Sequence, residues 1–273
     1  MFYFVVKLTV ARDFTQPTRK PMARNSGKTH RTAPANKFSN RPTQAEKSRL
    51  RIEKHSGNSE PQPQRNYTFK EVQPLNFVQG EYLDAIKHND IIFGIGSAGT
   101  GKTFIAASYA ASELYHKRVD KVILTRPNIE TGRGLGFLPG TLEEKYAPYL
   151  LPFDAIFSRA LGKGFYEYCL KSKDIDPTPL GFLRGTTFDD CIVLVDEAQN
   201  CTREEMKMLL SRIGKNCKMI FSGDTEQSDI PNSGLEDAVD RLEGIEGIEV
   251  IEFLDEDIVR SKMCKQIIMA YRK

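Results

Sequence analysis

The sequence lacks the patterns that indicate disulfides, metal sites built from cysteine or histidine, and membrane spans. The five cysteines include no C-x-x-C pair, and the four histidines are scattered without the spacing of metal ligands. Cys191 and Cys217 fall in predicted buried strands, so we expect free thiols in a reducing cytosol rather than disulfides or a zinc site. No apolar run approaches the length of a membrane span, and no membrane partner is expected.

No secretion signal is expected at the amino terminus. Residues 1–10 are apolar, but no basic residues precede them and Lys7 interrupts the run. A signal peptide needs a basic segment followed by an uninterrupted apolar run, so we expect a cytoplasmic protein. The composition becomes uniformly polar from Met22 onward, and one hypothesis is that Met22 rather than Met1 is the natural start.

The charge of the chain is unevenly distributed. Residues 1–66 carry 14 Lys and Arg against 4 Asp and Glu, a net charge of +10, whereas the remainder carries 25 against 32, a net charge of −7. Because residues 11–66 are polar and poor in aliphatic side chains, we expect a disordered basic tail over 1–66 and a folded domain over 67–273. Such a tail is typical of contact with nucleic acid, although a solvated tail without a partner explains it equally well.

The most informative motif is the octapeptide 96–103, which matches G-x-x-x-x-G-K-[ST]. It follows the apolar run 91–95 and precedes the Ala-rich segment 104–117, as a phosphate loop lies between a strand and a helix. Backbone N–H groups and the helix N-terminus would bind the phosphates of ATP, Lys102 would add a cation at the β- and γ-phosphates, and Thr103 would ligate Mg²⁺. The predicted binding residues are Gly96, Ser97, Ala98, Gly99, Thr100, Gly101, Lys102 and Thr103.

A second motif is the apolar run 191–195, which leads into Asp196 and Glu197. We predict that Asp196 holds Mg²⁺ opposite Thr103 and that Glu197 orients or deprotonates the attacking water. Two solvated acids at a strand end are the plain alternative. The phosphate loop and the preceding hydrophobic strand favour the catalytic interpretation.

A third segment, 223–227, follows another predicted strand and ends at Gln227. An amide at that strand tip can reach the γ-phosphate and report its presence. Gly-Asp is also ordinary turn chemistry, so the role of Gln227 depends on the other two motifs.

Strand and helix patterns alternate from residue 78 to the carboxyl terminus. This alternation predicts an α/β fold, a doubly wound and mainly parallel sheet with the ligand at the carboxyl ends of its strands. The stretch 128–190 is too long for a loop and is predicted to be a helical insertion. The predicted strands are 91–95, 119–125, 191–195, 218–222 and 248–253, and the predicted helices are 78–88, 104–117, 142–161, 163–171, 203–213 and 255–271.

Eight segments of the chain follow one another in an order that is found in a known family. They are Gln79-x-x-Tyr82, the phosphate loop, Thr125-Arg126-Pro127, Gly136-Phe137-Leu138-Pro139-Gly140, Leu183-Arg184-Gly185, Asp196-Glu197-Ala198-Gln199-Asn200, Gly223-Asp224-x-x-Gln227 and Asp257-Ile258-Val259-Arg260. With these segments the chain resembles the PhoH family from about Tyr67 onward. The resemblance implies a RecA-like P-loop ATPase similar to the first motor domain of superfamily 1 helicases, with the phosphate loop as Walker A and the strand ending in Asp196 as Walker B.

The resemblance also implies roles for residues outside the three motifs. Gln79 would read the adenine edge and Tyr82 would lie near the base. Arg126 and Arg184 would lie around the phosphates or a nucleic-acid path, and Arg260 would approach the γ-phosphate as a catalytic residue.

Two departures from the family stand out. Ser97 occupies the position of the family's usual Pro, which should be tolerated because the backbone binds the phosphates. Longer cellular members have another folded N-terminal region where this chain has its polar tail. The compact length suggests a bacteriophage member, which would act in the host cytoplasm.

Three functions are compatible with these motifs. The leading one is ATP hydrolysis, with RNA or single-stranded DNA as a partner. A nucleotide-gated scaffold with little turnover is the alternative, and a small-molecule kinase is a third that lacks the expected lid arginines. Related motors place ATP between two RecA-like units, and this chain has one, so we expect a homo-oligomeric ring, a hexamer, whose neighbour supplies an arginine unless Arg260 serves in cis.

Overall fold

The computed structural model describes residues 69–127 and 142–271, with side chains over 69–127 and 150–270. The tail 1–66 and the first part of the insertion lie outside these residues, so their organisation stays a prediction. The helices are α1 Phe77–His88, α2 Lys102–Tyr115, α3 Leu142–Leu161, α4 Lys163–Ser172, α5 Arg203–Leu210, α6 Gly234–Leu242 and α7 Lys262–Tyr271. The strands are β1 Ile91–Gly96, β2 Lys121–Thr125, β3 Ile175–Pro177, β4 Cys191–Val195, β5 Cys217–Gly223 and β6 Ile248–Phe253.

The six strands form one parallel sheet in the order β3-β2-β4-β5-β1-β6. Strands buried on both faces read as continuous apolar runs, as β4 does. Successive side chains along a strand point to opposite faces, so Ile92 joins the core formed with α1 to α4, whereas Phe93 joins the core formed with α5 and α6. The predicted doubly wound α/β fold is confirmed.

Most predicted elements agree with the structure to within two residues, and four elements differ from the prediction. The strand β3 pairs with β2 at the sheet edge, and helix α6 was also not predicted. Helix α5 begins at its predicted capping box, formed by Thr202 and Glu205, but ends at Leu210 rather than at residue 213. The predicted helix 255–271 is wrong over its first turns, because residues 255–257 form a 3₁₀ turn and α7 begins only at Lys262.

The two edges of the sheet, within the ranges that the structure describes, are short or charged. On one side β3 has three residues and ends in Pro177. On the other side β6 pairs with β1 and carries exposed Glu249 and Glu252. All five cysteines are free thiols, four of them buried. No helix in the described part of the chain is both long enough and apolar enough to span a lipid bilayer.

Candidate nucleotide-binding site

A cavity of about 450 Å³ lies where the carboxyl ends of β1, β4 and β5 meet. In a parallel sheet these ends lie at one edge, so motifs more than 90 residues apart in the chain come together there. The predicted site residues that border it are Ala98, Gly99, Gly101, Lys102, Thr103, Asp196, Glu197, Gln227 and Arg260. Gly96, Ser97 and Thr100 lie in the same loop but do not line this cavity.

The phosphate loop leaves the N-terminus of α2 open. Gly101 is the N-cap residue in the left-handed region with φ 92°, and no side chain caps this helix. In contrast, Asn76 and Thr202 cap α1 and α5 through side-chain oxygens. The first N–H groups of an uncapped helix are free to bind an anion, and the helix dipole favours negative charge there. The loop therefore suits phosphate.

Lys102 is folded onto the loop itself. Its Nζ donates to the carbonyl oxygens of Gly96 at 2.5 Å and Ser97 at 2.8 Å, and to Thr100 Oγ1 at 3.3 Å. The ammonium group also lies 5.8 Å from the centroid of the Phe253 ring. Burial lowers the pKa of Lys102 to about 8, although nearby carboxylates oppose this shift.

This lowered pKa predicts a proton uptake on nucleotide binding. Phosphate oxygens favour the charged form, so the bound pKa of Lys102 should exceed the free value of about 8. Below that pH the ammonium is charged in both states and affinity should be flat. Above it only the free protein loses the proton, so Kd should rise by up to about tenfold per pH unit.

The measurement is ATP affinity between pH 6.5 and 9.5, with calorimetry in buffers of different ionisation enthalpy to count protons. The γ-phosphate is already ionised over most of this range, since its last pKa lies near about 6. An affinity that stays constant up to pH 9.5 would contradict the assignment to Lys102.

Thr103 and Asp196 bring a hydroxyl and a carboxylate together beside the phosphate loop. Thr103 Oγ1 donates to Asp196 Oδ1 at 2.9 Å, so the first residues of α2 and the end of β4 are in direct contact. Burial raises the pKa of Asp196, whereas the Thr103 hydrogen bond acts in the opposite direction. A hydroxyl and a carboxylate at one edge of a phosphate site are hard oxygen donors, which fit a magnesium ion that keeps several waters.

Glu197 follows Asp196 directly and has its backbone in the left-handed region, with φ 53°. Its Oε1 lies 3.1 Å from an Nη atom of Arg126, and its Oε2 accepts from Gln199 Nε2 at 2.6 Å. The side chain of Glu197 is 37% exposed, and the residue borders the cavity. Arg126, which the resemblance placed near phosphates or nucleic acid, therefore pairs with the predicted base.

The phosphate loop is held between α1 and the segment after β6. Gln79 Nε2 donates to the Thr100 carbonyl at 2.8 Å, while its Oε1 accepts from a backbone N–H at residue 75. Val259 N donates to the Gly99 carbonyl at 3.1 Å. Both ends of the Gln79 amide are thus engaged within the protein, and its contact with adenine stays a prediction.

Ser97 has a role that the phosphate motif does not indicate. Its hydroxyl donates to Asp255 Oδ1 at 2.5 Å, which ties the loop to the 3₁₀ turn after β6. A proline at this position could not make that bond. The departure from the family pattern therefore adds a contact, and its effect on phosphate binding stays a prediction.

Three other predicted residues differ in their surroundings. Tyr82 is wholly buried, with its ring against Gly94 and edge-on to Phe253, so its place beside the base stays a prediction. Gln227 is exposed at the border of the cavity. Arg184 is exposed and does not line the cavity.

Arg260 lies directly against the phosphate loop. A Cβ built on Gly99 would be 3.3 Å from the Cβ of Arg260, so a side chain at that position would crowd it. Arg260 also lines the cavity, and its approach to the γ-phosphate stays a prediction.

Sequence reasoning missed Gln199 as part of the site. It lies within the Asp-Glu-Ala-Gln-Asn segment that carries the resemblance. An amide near two acids does not ionise, so its residue type does not indicate a role in the site. Only the pairing of β4 with β5 brings it to the end of β5, where its Oε1 accepts from Asp224 N.

An uncapped helix behind a glycine-rich loop, a buried lysine and an acid pair at the end of β4 define a P-loop nucleotide-binding protein of RecA-like fold. A family model described as "PhoH-like protein" matches residues 71–272. The chain belongs to the PhoH family.

Curated relatives are similar over the same region. "Protein PhoH" of Escherichia coli K12 is 44% identical over 201 residues, covering 72% of this chain and 57% of that protein. The "PhoH-like protein" of Bacillus subtilis 168 is 44% identical over 212 residues, covering 77% of this chain and 66% of that protein. The chain therefore spans less than two thirds of these relatives. Among solved structures, the Pif1 helicase of Candida albicans aligns with a TM-score of 0.35 at 17% identity, covering 67% of this chain and 41% of that one.

Proposed function

We propose that this protein is a magnesium-dependent ATP hydrolase. The observation that carries the proposal is the convergence of Lys102, the Thr103–Asp196 pair and Glu197 on one cavity at the carboxyl edge of the sheet. A site that only holds nucleotide needs Lys102 and the Thr103–Asp196 pair, but it does not need Glu197. A carboxylate that borders the same cavity without belonging to the magnesium pair supplies a base for water.

In this mechanism the phosphate loop and Lys102 bind the triphosphate. Lys102 exchanges its hydrogen bonds to loop carbonyls for the β- and γ-phosphate oxygens, which restores the full charge of its ammonium group. Thr103 and Asp196 would hold Mg²⁺, which when bound neutralises charge on those phosphates.

Glu197 accepts the proton of the attacking water. To do so one of its carboxylate oxygens must face that water within hydrogen-bond reach, while the other keeps a protein partner. Gln227 and Arg260 border the cavity, and in the proposed mechanism they contact the γ-phosphate and the charge that develops on it.

Phosphate release from ATP tests the proposal directly. We expect release with Mg²⁺ that falls to background with EDTA and returns when Mg²⁺ is restored. Bound ATP without release under any condition would favour the nucleotide-gated scaffold instead.

We also propose that RNA or single-stranded DNA increases this turnover. The net charge of +10 over residues 1–66 supports the idea, because a basic tail releases counterions when it binds phosphates. The phosphate-release assay is repeated with added strands, for the full chain and for a chain that begins at residue 67. Loss of the tail should weaken binding and flatten its salt dependence, and an unchanged salt slope would assign the contact to the folded domain.

A homo-oligomeric ring, a hexamer, is the assembly we propose. Each chain has one phosphate loop, and the apolar side chains of Met263 and Ile267 on α7 are exposed close to Arg260 in the sequence. An arginine from a neighbour would contribute roughly 10³- to 10⁵-fold in rate. Light scattering with ATP and Mg²⁺ should give a mass near six chains, whereas a monomer that hydrolyses ATP briskly would assign the arginine role to Arg260 in cis.

A further inference from the structure

Gln199 bridges the predicted base and the neighbouring strand end. It lies in the 3₁₀ turn that follows β4 and is 1% exposed. Its Nε2 donates to Glu197 Oε2 at 2.6 Å, and its Oε1 accepts from Asp224 N at 3.1 Å. An amide has a donor end and an acceptor end, so it can join a carboxylate to a backbone N–H, and here both ends are satisfied.

The packing around Gln199 fixes this orientation. A Cβ built on Gly223 would lie 3.0 Å from Gln199 Oε1 and 3.1 Å from its backbone N, so the glycine at the end of β5 admits the amide. Ser228 Oγ donates to the Gln199 carbonyl at 3.1 Å. The turn is thus bound along its length to the segment that follows β5 and contains Gln227.

The carboxylate of Glu197 also forms the ion pair with Arg126. That pair is partly exposed to solvent, and such pairs hold side chains weakly. The buried amide is the firmer partner, because leaving either of its ends unpaired is costly.

We propose that Gln199 is the positioning residue for Glu197, and that it ties the orientation of that carboxylate to the backbone at the end of β5. The proposal rests on the proposed hydrolysis. A general base must lie within hydrogen-bond reach of the proton that it takes, so a displaced Glu197 lowers the rate of the chemical step and leaves ATP binding intact.

Gln199→Glu tests this role with little change of shape. It keeps the acceptor for Asp224 N but sets a carboxylate against Glu197 Oε2, which displaces the base. We expect kcat to fall by about 10- to 100-fold, as for other residues that orient reacting groups, with KM within about threefold of the wild-type value.

Asn200→Asp is the matched control. Asn200 lies in the same turn, its Oδ1 accepts from Asp229 N at 2.8 Å, and its Nδ2 donates to Asp229 Oδ2 at 3.3 Å. The substitution makes the same amide-to-acid change against a carboxylate that is not part of the site. Wild-type kcat in this variant supports the proposal, whereas an equal loss in both variants would overturn it, because the turn would then act only through the fold.

A swapped pair gives a measurement that does not depend on hydrolysis. In Glu197→Gln/Gln199→Glu a donor again faces an acceptor, so the Tm lost in Gln199→Glu should be recovered in the double variant, with ATP bound but not hydrolysed. A Tm loss equal to the sum of the two single losses would overturn the pairing. Absence of phosphate release from the wild-type chain would refute the hydrolase function, and Tm recovery would then still support the Glu197–Gln199 contact.

Discussion

Replacing Lys102 with alanine is expected to weaken ATP binding by about 100-fold or more, because the site loses the cation that meets the β- and γ-phosphates. The ammonium group is buried and already desolvated, so its attraction to phosphate is less screened than that of a surface lysine. Equilibrium binding at pH 7.5 measures the effect.

Lys87→Ala is the control for Lys102→Ala, since Lys87 is exposed in the last turn of α1 and does not border the cavity. The thermal unfolding of both variants shows whether the fold is retained. A folded Lys102→Ala protein that binds ATP as the wild type does would place the phosphates elsewhere.

Replacing Glu197 with glutamine is expected to leave ATP affinity within about threefold and to reduce turnover by about 10²- to 10⁴-fold, the usual contribution of a general base. Glutamine keeps the length of the side chain and an oxygen for Gln199 Nε2, but it cannot take a proton from water. Single-turnover phosphate release with saturating ATP separates the chemical step from binding.

Glu204→Gln, in the exposed first turn of α5, makes the same chemical change outside the cavity and should retain wild-type turnover. If Glu197→Gln hydrolyses ATP at the wild-type rate, another group accepts the proton. The mechanism proposed for this site would then be wrong, although the nucleotide-binding role of the phosphate loop would stand.

The sheet centre could be predicted from sequence because its strands are apolar on both faces. The run Ile192 to Val195 has no polar residue to compete for another assignment, and the phosphate motif fixes the elements on either side of it. The edge strand β3 could not be predicted in the same way. Its three residues include Asp176 and Pro177, and a proline argues against a strand except at an edge. Whether a segment lies at an edge is known only from the fold.

The error at residues 255–261 has a similar cause. Three consecutive acids at 255–257 are typical of a first helical turn, where they favour the helix dipole. In the structure, Val259 N instead donates to the Gly99 carbonyl of the phosphate loop. A local pattern was overridden by a partner 160 residues away in the chain.

The residues of the site likewise fall into those that a motif predicts and those that only the fold brings together. Residues defined by a motif, such as Lys102 and Asp196, were predicted by number and meet at one cavity. The Arg126–Glu197 ion pair and the Gln199 bridge depend on which strands are neighbours, with β2 beside β4 and β4 beside β5. Spacing along the chain contains no information about that order.

The edges of the sheet limit how copies of this protein can associate. An exposed edge strand offers unpaired N–H and C=O groups to another chain, and short strands, proline and charge discourage that pairing. Here Pro177 at one edge and Glu249 and Glu252 at the other meet those conditions. Subunits of a ring would therefore contact one another through helices and loops, and no strand of one subunit would pair with a strand of the next. A variant with apolar residues at 249 and 252 would instead expose an apolar edge strand. Copies of that variant would pair edge to edge and form open-ended filaments.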